Sequence, residues 1–185
     1  GLNDMDHPDY GGWGGRYQYG IPPKAPFLGK KELHPIWYDD YDEIQLLDGS
    51  VERSNFATIW RWREGYQHDF AARMCWTETP EYKDANHPPV VKLQTPQEIV
   101  VKCGEKVALS AEGSYDPDGD ALTYRWYNYK EAGNYGSIIP VEKADQAVAA
   151  FTAPNSACKL HFILELKDNG APALTRYGRI VVTVE

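Results

Sequence analysis

The sequence predicts a mainly β protein, a β-sandwich preceded by a loop-rich segment with one long helix. The second half of the chain contains short runs in which alternate positions are apolar, and turn residues separate these runs. The third run carries Trp126 on its apolar face. The first half is rich in glycine, proline and aromatic residues, and only one stretch of it has helical periodicity. These observations together predict an immunoglobulin-like sandwich in the second half.

Six runs are predicted to form strands of this sandwich. In the third run Leu122, Tyr124 and Trp126 share one face, because successive side chains of a strand point to opposite faces. The predicted strands are Ile99–Lys102, Lys106–Ala111, Leu122–Tyr129, Ala147–Thr152, Lys159–Lys167 and Arg179–Val184. Short antiparallel strands at this spacing, with a tryptophan on the third, are typical of immunoglobulin-like domains.

The helix is predicted from about Arg53 to Trp76, with Ser54 as a candidate N-cap. The prolines of Asn86-His87-Pro88-Pro89 exclude a helix or a central strand, so we place a domain boundary there, between residues 1–86 and 87–185. Residues 1–86 hold 15 of the 24 aromatic side chains, more than one helix and its loops can bury. This segment is therefore expected to pack against an outside surface, and a domain upstream of this sequence is favoured over the sandwich. Its recurring helix positions are Phe56, Ile59, Trp60, Arg63, Tyr66, Phe70 and Met74.

The composition excludes several classes of partner. The net charge is −8 and the isoelectric point is near 5.1, so a nucleic-acid partner is excluded, because phosphates require a basic face. No apolar run approaches the roughly 20 residues of a membrane helix, so no membrane partner is expected.

The acidic run Tyr38–Glu43 is predicted to be a solvated loop with buried tyrosine rings. No nucleophile, zincin or phosphate-loop motif is present, and no catalytic residue is predicted.

Several short motifs along the chain resemble those of one bacterial family. They are LNDMDHP (2–8), GGWGGR (11–16), NHPP (86–89), GSYDPDGD (113–120), KDNG (167–170) and LTRY (174–177). The family comprises secreted cellulose-binding proteins with a nucleoside-hydrolase-like N-terminal domain and an immunoglobulin-like C-terminal domain. The resemblance covers nearly the whole chain. It implies that residues 1–86 are the C-terminal tail of the hydrolase-like domain and that residues 87–185 are the complete C-terminal domain.

The resemblance also implies a function. The chain is expected to be the non-catalytic C-terminal portion of a secreted or periplasmic protein that binds a cellulose-like glucan. Nucleoside hydrolases use an N-terminal aspartate cluster that holds calcium, and the first half of this chain lacks it, so catalytic residues are expected upstream. Whether the full-length protein is an enzyme stays open. In the alternative, the sandwich supports an upstream hydrolase-like domain of the same protein, which acts on N-glycosidic or glycosidic bonds.

Four tyrosines are candidates for carbohydrate binding: Tyr127, Tyr129, Tyr135 and Tyr177. The first two have the opposite strand parity to Trp126, so they are expected to face outward if Trp126 faces the core. Outward rings on one sheet can form a platform on which sugar rings stack. In the alternative, these rings cover the joint between the two halves of the chain.

The turn Asp116-Pro117-Asp118-Gly119-Asp120 is a candidate calcium site. Its three carboxylates at alternate positions supply the oxygen ligands that calcium prefers, although the pattern is not an EF-hand. The loop before the last strand lies at the same end of a sandwich, so Asp168 is a candidate fourth ligand. In the alternative, these aspartates only cap the turn by accepting hydrogen bonds from nearby amides.

The three cysteines do not form a zinc motif. Cys103 and Cys158 are both expected at the end of the sandwich opposite the aspartate turn. The sequence leaves open whether they form a disulfide or stay as two thiols. Cys75 is expected to be a small residue buried by the helix.

Overall fold

The computed structural model describes residues 2–23, 33–79 and 81–185. The chain divides into two compact units, residues 2–63 and residues 64–185. The division into compact units lies upstream of the predicted domain boundary, and the assignment of residues 1–86 to an upstream domain stays a prediction. Within the described ranges, no helix is long and apolar enough to cross a membrane.

The unit formed by residues 2–63 contains two small antiparallel sheets and a short helix. Strand β1 (Tyr17–Gly20) pairs with β2 (Ile36–Asp39), and β3 (Asp42–Gln45) pairs with β4 (Val51–Ser54). Helix α1 (Ala57–Trp60) follows β4. The unit is more ordered than the loop-rich segment that its glycine and proline content predicts.

The acidic run Tyr38–Glu43 spans the end of β2 and the start of β3 and is not a solvated loop, so that prediction is wrong. Asp42 is buried and pairs with two guanidinium groups, Arg16 Nε at 2.9 Å and Arg61 Nε at 2.8 Å. Arg16 also pairs with Asp40 and donates a hydrogen bond to the carbonyl oxygen of Tyr41 at 2.7 Å. A buried carboxylate is tolerated here because cationic partners compensate for its lost hydration.

The single predicted helix is broken into two. Residue Arg53 lies in β4, and α1 is separated from α2 (Arg63–Glu78) by a turn at residues 61–62. The hydroxyl of Ser54 accepts a hydrogen bond from the backbone amide of Ala57 at 3.2 Å. The N-cap position of α1 is Phe56, which makes no side-chain cap hydrogen bond, so Ser54 is not the N-cap that the sequence predicts.

Helix α2 buries small and polar residues instead of the predicted aromatic face. Gly65, Asp69 and Ala72 are buried, whereas Phe70 is 64% exposed. A Cβ atom at position 65 would overlap the hydroxyl group of Tyr177, so the helix approaches this tyrosine closely. Only glycine allows this approach.

Residues 98–184 form the predicted β-sandwich, and the mainly β fold class is confirmed. Its strands are β5 (Glu98–Val101), β6 (Lys106–Ser110), β7 (Thr123–Asn128), β8 (Val148–Thr152), β9 (Cys158–Lys167) and β10 (Thr175–Val184). One sheet has the order β5-β10-β9-β7, and β6 and β8 form the other. β5 runs parallel to β10, and the other pairs are antiparallel. β10 begins earlier than predicted because it pairs with β9 along ten residues.

The hydrophobic core lies between these two sheets. Trp126, Phe162 and Ile180 from the four-stranded sheet pack with Leu109 and Phe151 from the other sheet, and all five are buried. The rings of Phe151 and Phe162 stack with their centroids 4.1 Å apart. The alternation of apolar residues in the sequence predicts which face of each strand is buried in this core.

Candidate functional site

The turn between β6 and β7 brings three carboxylates together. Ligand oxygens of Asp116, Asp118 and Asp120 all lie within 4.8 Å of one another. Asp116 Oδ1 accepts hydrogen bonds from the amides of Asp118 at 2.8 Å and Asp120 at 3.2 Å, which folds the turn around the Asp116 side chain. We call the four carboxylates of Asp116, Asp118, Asp120 and Asp168 the carboxylate cluster.

Asp168 enters the cluster from the loop between β9 and β10. Its neighbour Asn169 ties the two loops together, because Asn169 Oδ1 accepts a hydrogen bond from the amide of Ala121 at 2.8 Å. The side chain of Asp168 is almost completely buried, and the residue is 3% exposed. Its Oδ1 atom accepts hydrogen bonds from the amides of Gly170 and Leu174, both at 2.9 Å. The sandwich topology therefore places the loop of Asp168 beside the aspartate turn, although Asp168 is not among the three residues whose ligand oxygens all lie within 4.8 Å of one another.

Asn86 is part of the same site, and the sequence did not identify it as a site residue. Its side-chain amide donates hydrogen bonds to Asp168 Oδ1 at 3.3 Å and to the carbonyl oxygen of Pro172 at 2.8 Å. A Cβ atom at Gly170 would overlap the Asn86 side chain, so the glycine allows this contact. The only sequence signal for Asn86 was its place in the Asn-His-Pro-Pro motif.

His87 holds Asp118 at the rim of the cluster. The backbone amide of His87 donates to Asp118 Oδ2 at 2.6 Å, and its Nδ1 atom lies 3.0 Å from Asp118 Oδ1. The imidazole stacks on the ring of Tyr82 with the centroids 3.5 Å apart. It also stacks on the ring of Trp76, with the centroids 5.7 Å apart. The segment that contains Asn86 and His87 therefore contacts the cluster through both residues.

Three oxygen atoms at this site are buried and have no hydrogen-bond partner among the described residues. They are Asp116 Oδ2, Asp168 Oδ2 and Asn86 Oδ1. Burial and the nearby charges of Asp116, Asp168 and Asp118 raise the pKa of the Asp120 carboxyl group. The site thus combines carboxylates that repel one another with buried oxygen atoms that accept no hydrogen bond from the described residues.

The predicted tyrosine platform is not exposed, and this prediction is corrected. Tyr129 is completely buried and Tyr177 is 6% exposed. Tyr127 is half-buried, with the guanidinium carbon of Arg125 5.0 Å from its ring centroid. Tyr135 is half-buried against the core. The four rings therefore do not present a continuous face to solvent.

The physical reason is that the second face of the four-stranded sheet is also buried. The strand parity of Tyr127 and Tyr129 was predicted correctly, because Trp126 does face the core. On the opposite face, however, His161 and Ile163 of β9 are completely buried as well. Strand alternation tells which face a side chain lies on but not whether that face is covered.

Exposed aromatic side chains lie instead on the β1–β2 sheet of the first unit. Tyr19 and Trp37 are directly opposite each other in the strand register and are 63% and 47% exposed. Their ring centroids are 5.4 Å apart and the rings are tilted by 53°. Tyr17 and Asp39, also paired in the register, share the same face of the sheet. The sequence does not indicate this pair, because the glycine and proline content of the segment predicts a loop.

The cysteines are free thiols in the structure. Cys103 is exposed and Cys158 is buried, and burial together with the nearby Cys103 raises the pKa of the Cys158 thiol. Of the two alternatives left open for this pair, the structure has two thiols. Cys75 is exposed on α2, so the expectation that the helix buries it is wrong.

The comparisons with known proteins concern first the sandwich. Residues 106–184 match the family model described as "Cellulose-binding protein Sde0182, C-terminal domain". This match confirms the family resemblance for residues 106–184 of the sandwich. The matched residues include β6 to β10 and three members of the carboxylate cluster that follow β6, as well as Asp168.

A solved structure extends the likeness to the whole chain. It is a nucleoside hydrolase-related protein from Saccharophagus degradans that is associated with carbohydrate metabolism, 30% identical, with a TM-score of 0.79 over 100% of this chain. The present chain spans 44% of the length of that protein. A weaker likeness, with 17% identity and a TM-score of 0.40 over 52% of this chain and 87% of the other, is to the PKD domain of the KIAA 1837 protein. The comparison with curated proteins finds no match.

Proposed function

We propose that this chain is the non-catalytic, glycan-binding C-terminal portion of a cellulose-binding, nucleoside-hydrolase-like protein. The match of residues 106–184 to the C-terminal domain of a cellulose-binding protein carries this proposal. The 30% identity to a nucleoside hydrolase-related protein along the whole chain supports the assignment of the first half. A cellulose-like glucan is a polymer outside the cell, so the proposal includes export to the periplasm or the medium.

We place the glycan on the exposed pair Tyr19 and Trp37 rather than on the tyrosines of the sandwich. The C–H bonds of a sugar ring are attracted to the negative face of an aromatic ring, and an exposed aromatic pair offers a large contact area with little conformational freedom to lose. Both rings keep about half or more of their surface open to solvent. Neither Tyr129 nor Tyr177 has such a surface.

Polar groups lie beside the aromatic pair. Asp39 Oδ2 accepts a hydrogen bond from Asn55 Nδ2 at 3.1 Å, and the hydroxyl of Tyr17 donates to the carbonyl oxygen of Gly14 at 3.0 Å. Each of these oxygens has a further lone pair for a sugar hydroxyl. Because the two aromatic rings are tilted by 53°, they do not form one flat platform, and we expect the pair to suit a single glucan chain better than the flat surface of a cellulose crystal.

The test compares a soluble glucan with a crystalline one. Binding of cellohexaose is measured by isothermal titration calorimetry, and retention on microcrystalline cellulose is measured by pull-down. The parent chain is expected to bind cellohexaose, and the Tyr19→Ala/Trp37→Ala variant is expected to bind at least about tenfold more weakly. The Phe70→Ala variant removes an equally exposed ring elsewhere and is expected to bind like the parent.

Two results would overturn the placement of the glycan. One is unchanged affinity of the Tyr19→Ala/Trp37→Ala variant. The other is loss of binding in a Tyr127→Ala variant, which would return the platform to the sandwich. Failure of the parent chain to bind either glucan would overturn glycan binding itself.

A second candidate function is favoured by the buried outer face of the four-stranded sheet. In an isolated antiparallel sandwich this face is normally polar and solvated, yet Tyr129, His161 and Ile163 are completely buried here. The chain itself covers this face, and α2, which lies in the segment assigned to the tail of the hydrolase-like domain, contacts Tyr177 and Arg176 of β10. These contacts suit a sandwich that supports that domain. In the longer protein, this function predicts that Ile163→Ala lowers hydrolysis of N-glycosidic substrates, whereas Tyr19→Ala/Trp37→Ala leaves it unchanged.

A further inference from the structure

We propose that the sandwich binds one calcium ion within the carboxylate cluster, with Asp116, Asp120, Asp168 and Asn86 as ligands and Asp118 at the rim. The ion would lie at the end of the sandwich where the β6–β7 loop, the β9–β10 loop and the segment before β5 meet. This proposal does not depend on glycan binding. It assigns to these residues a role that turn capping alone does not explain.

Turn capping accounts for only one oxygen of each of two carboxylates, those of Asp116 and Asp168. Asp116 Oδ1 and Asp168 Oδ1 each accept at least two backbone hydrogen bonds. Their Oδ2 atoms are buried and accept none from the described residues. A buried ionised oxygen without a partner is unfavourable, and a bound cation would remove this cost.

Asn86 provides an independent observation. Its Nδ2 atom donates to two acceptors, Asp168 Oδ1 and the carbonyl oxygen of Pro172. These two bonds determine which end of the side-chain amide is the oxygen Oδ1. The Oδ1 atom is then buried without a donor in the part of the chain that the structure describes. A neutral carbonyl oxygen beside buried carboxylate oxygens is a common calcium ligand.

The charges of the cluster also favour a cation. Among the described residues, the only basic side chain that contacts one of these four carboxylates is His87, whose Nδ1 atom lies 3.0 Å from Asp118 Oδ1. No described lysine or arginine side chain pairs with Asp116, Asp120 or Asp168. Like charges at these distances repel strongly when they are partly removed from water.

The donor set indicates calcium rather than another metal. All of the proposed ligands are oxygen atoms of carboxylates and one amide, whereas zinc prefers thiolates and imidazoles. Three chain segments supply these ligands, and calcium tolerates the irregular geometry and the six to eight ligands that such loops provide. Magnesium requires a closely octahedral arrangement and keeps more of its water. Asp118 can still contribute, because each of its oxygens has a second lone pair besides the one that faces His87.

The test uses the 185-residue chain after dialysis against EDTA. Calcium chloride and, separately, magnesium chloride are titrated in by isothermal titration calorimetry, and the melting temperature is measured with EDTA and with about 10 mM calcium, above the range of most weak protein sites. We expect one calcium ion per chain, a melting temperature that rises with calcium, and at least about tenfold weaker binding of magnesium.

The variant Asp120→Asn separates metal binding from folding. The Asp120 carboxylate accepts no hydrogen bond from the described residues, and asparagine has the same shape, so the fold should be kept. In EDTA this variant is expected to melt at or above the temperature of the parent, because one repelling charge is removed. In calcium it is expected to lose the rise in melting temperature. Asp145→Asn, an exposed aspartate outside the cluster, serves as the control and is expected to behave like the parent.

The proposal is overturned if the parent chain shows neither binding heat nor a shift in melting temperature at about 10 mM calcium. It is also overturned if Asp120→Asn binds calcium as tightly as the parent does. An Asn86→Ala variant provides a second check, and unchanged calcium affinity there would remove Asn86 from the ligand set.

Discussion

Asp69 lies on the buried face of α2 and accepts two charged hydrogen bonds. Its Oδ2 atom is 2.6 Å from Arg73 Nε and its Oδ1 atom is 3.0 Å from Arg176 Nη1. Burial alone would raise the pKa of Asp69, but the hydrogen bonds from Arg73 and Arg176 outweigh it, so the pKa is lowered. Asp69 thus joins the helix to β10 as an anion.

We predict that Asp69→Asn lowers the free energy of unfolding by about 2 kcal/mol at pH 7, because hydrogen bonds to a charged group are weakened. A lowered pKa in the folded state stabilises the fold above the unfolded pKa, which is near 3.9. This contribution is lost as the pH falls through the folded pKa. Urea unfolding followed by tryptophan fluorescence should therefore give a difference between parent and variant that shrinks towards acid pH. A difference that stays constant with pH would contradict this account, and Asp145→Asn is the control.

At the residue scale, the sequence predicts which side chains could bind a ligand better than it predicts whether a side chain is buried. The four aspartates of the carboxylate cluster could be identified because their spacing and the sandwich topology bring their loops to one end. The burial of Tyr129 could not, since it depends on what covers the outer face of the sheet. The role of Asn86 was equally hidden, because its side chain donates hydrogen bonds to residues 82 or more positions away along the chain.

At the scale of elements, the contact between α2 and β10 depends on a glycine. Although alanine favours helices over glycine by about 1 kcal/mol, we predict that Gly65→Ala lowers the melting temperature, because its Cβ atom would overlap the Tyr177 hydroxyl. The Gly65→Ala/Tyr177→Phe variant removes that hydroxyl, so its loss should be smaller than the sum of the two single losses. Additive losses would argue against the overlap.

The helices also show where periodicity misleads. Phe56, Phe70 and Met74 recur at helical spacing, yet all three are exposed. The buried positions of α2 are Gly65 and Asp69 together with Ala72, which carry no hydrophobic signal in a sequence. Tertiary contacts with Tyr177 and Arg176 determine the buried face here, and hydrophobicity does not.

At the scale of the whole molecule, stability is expected to be uneven. Strands β9 and β10 each pair with neighbours on both sides, whereas β1 to β4 form two-stranded sheets. We predict that hydrogen exchange is slowest at the amides of β9 and β10, such as those of Phe162 and Leu164, and fastest in β1 to β4. Exchange followed by mass spectrometry or NMR tests this order. Equal protection in the two-stranded sheets would contradict it.

The same contrast explains how much of the fold could be predicted. The strands of residues 98–184 were located within a few positions because each has one apolar face that meets the core. β1 and β2 have no such face, since Tyr19, Ile36 and Trp37 are exposed. The pairing of Asp42 with Arg16 and Arg61 joins positions far apart in the sequence and leaves no local pattern.

The parallel pair β5–β10 affects how the chain folds during synthesis. The backbone of β5 is completed early, but its partner begins only at Thr175, and the carbonyl oxygen of Glu185 accepts a hydrogen bond from the amide of Cys103 at 3.0 Å. On the ribosome, the hydrogen-bonding groups of β5 and one side of β9 must wait until β10 has emerged. Such long-range pairing is slow, and during that interval the unpaired strands are open to pairing with other chains. Ribosome-bound chains stopped before Thr175 should therefore depend on chaperones more than chains that have released β10.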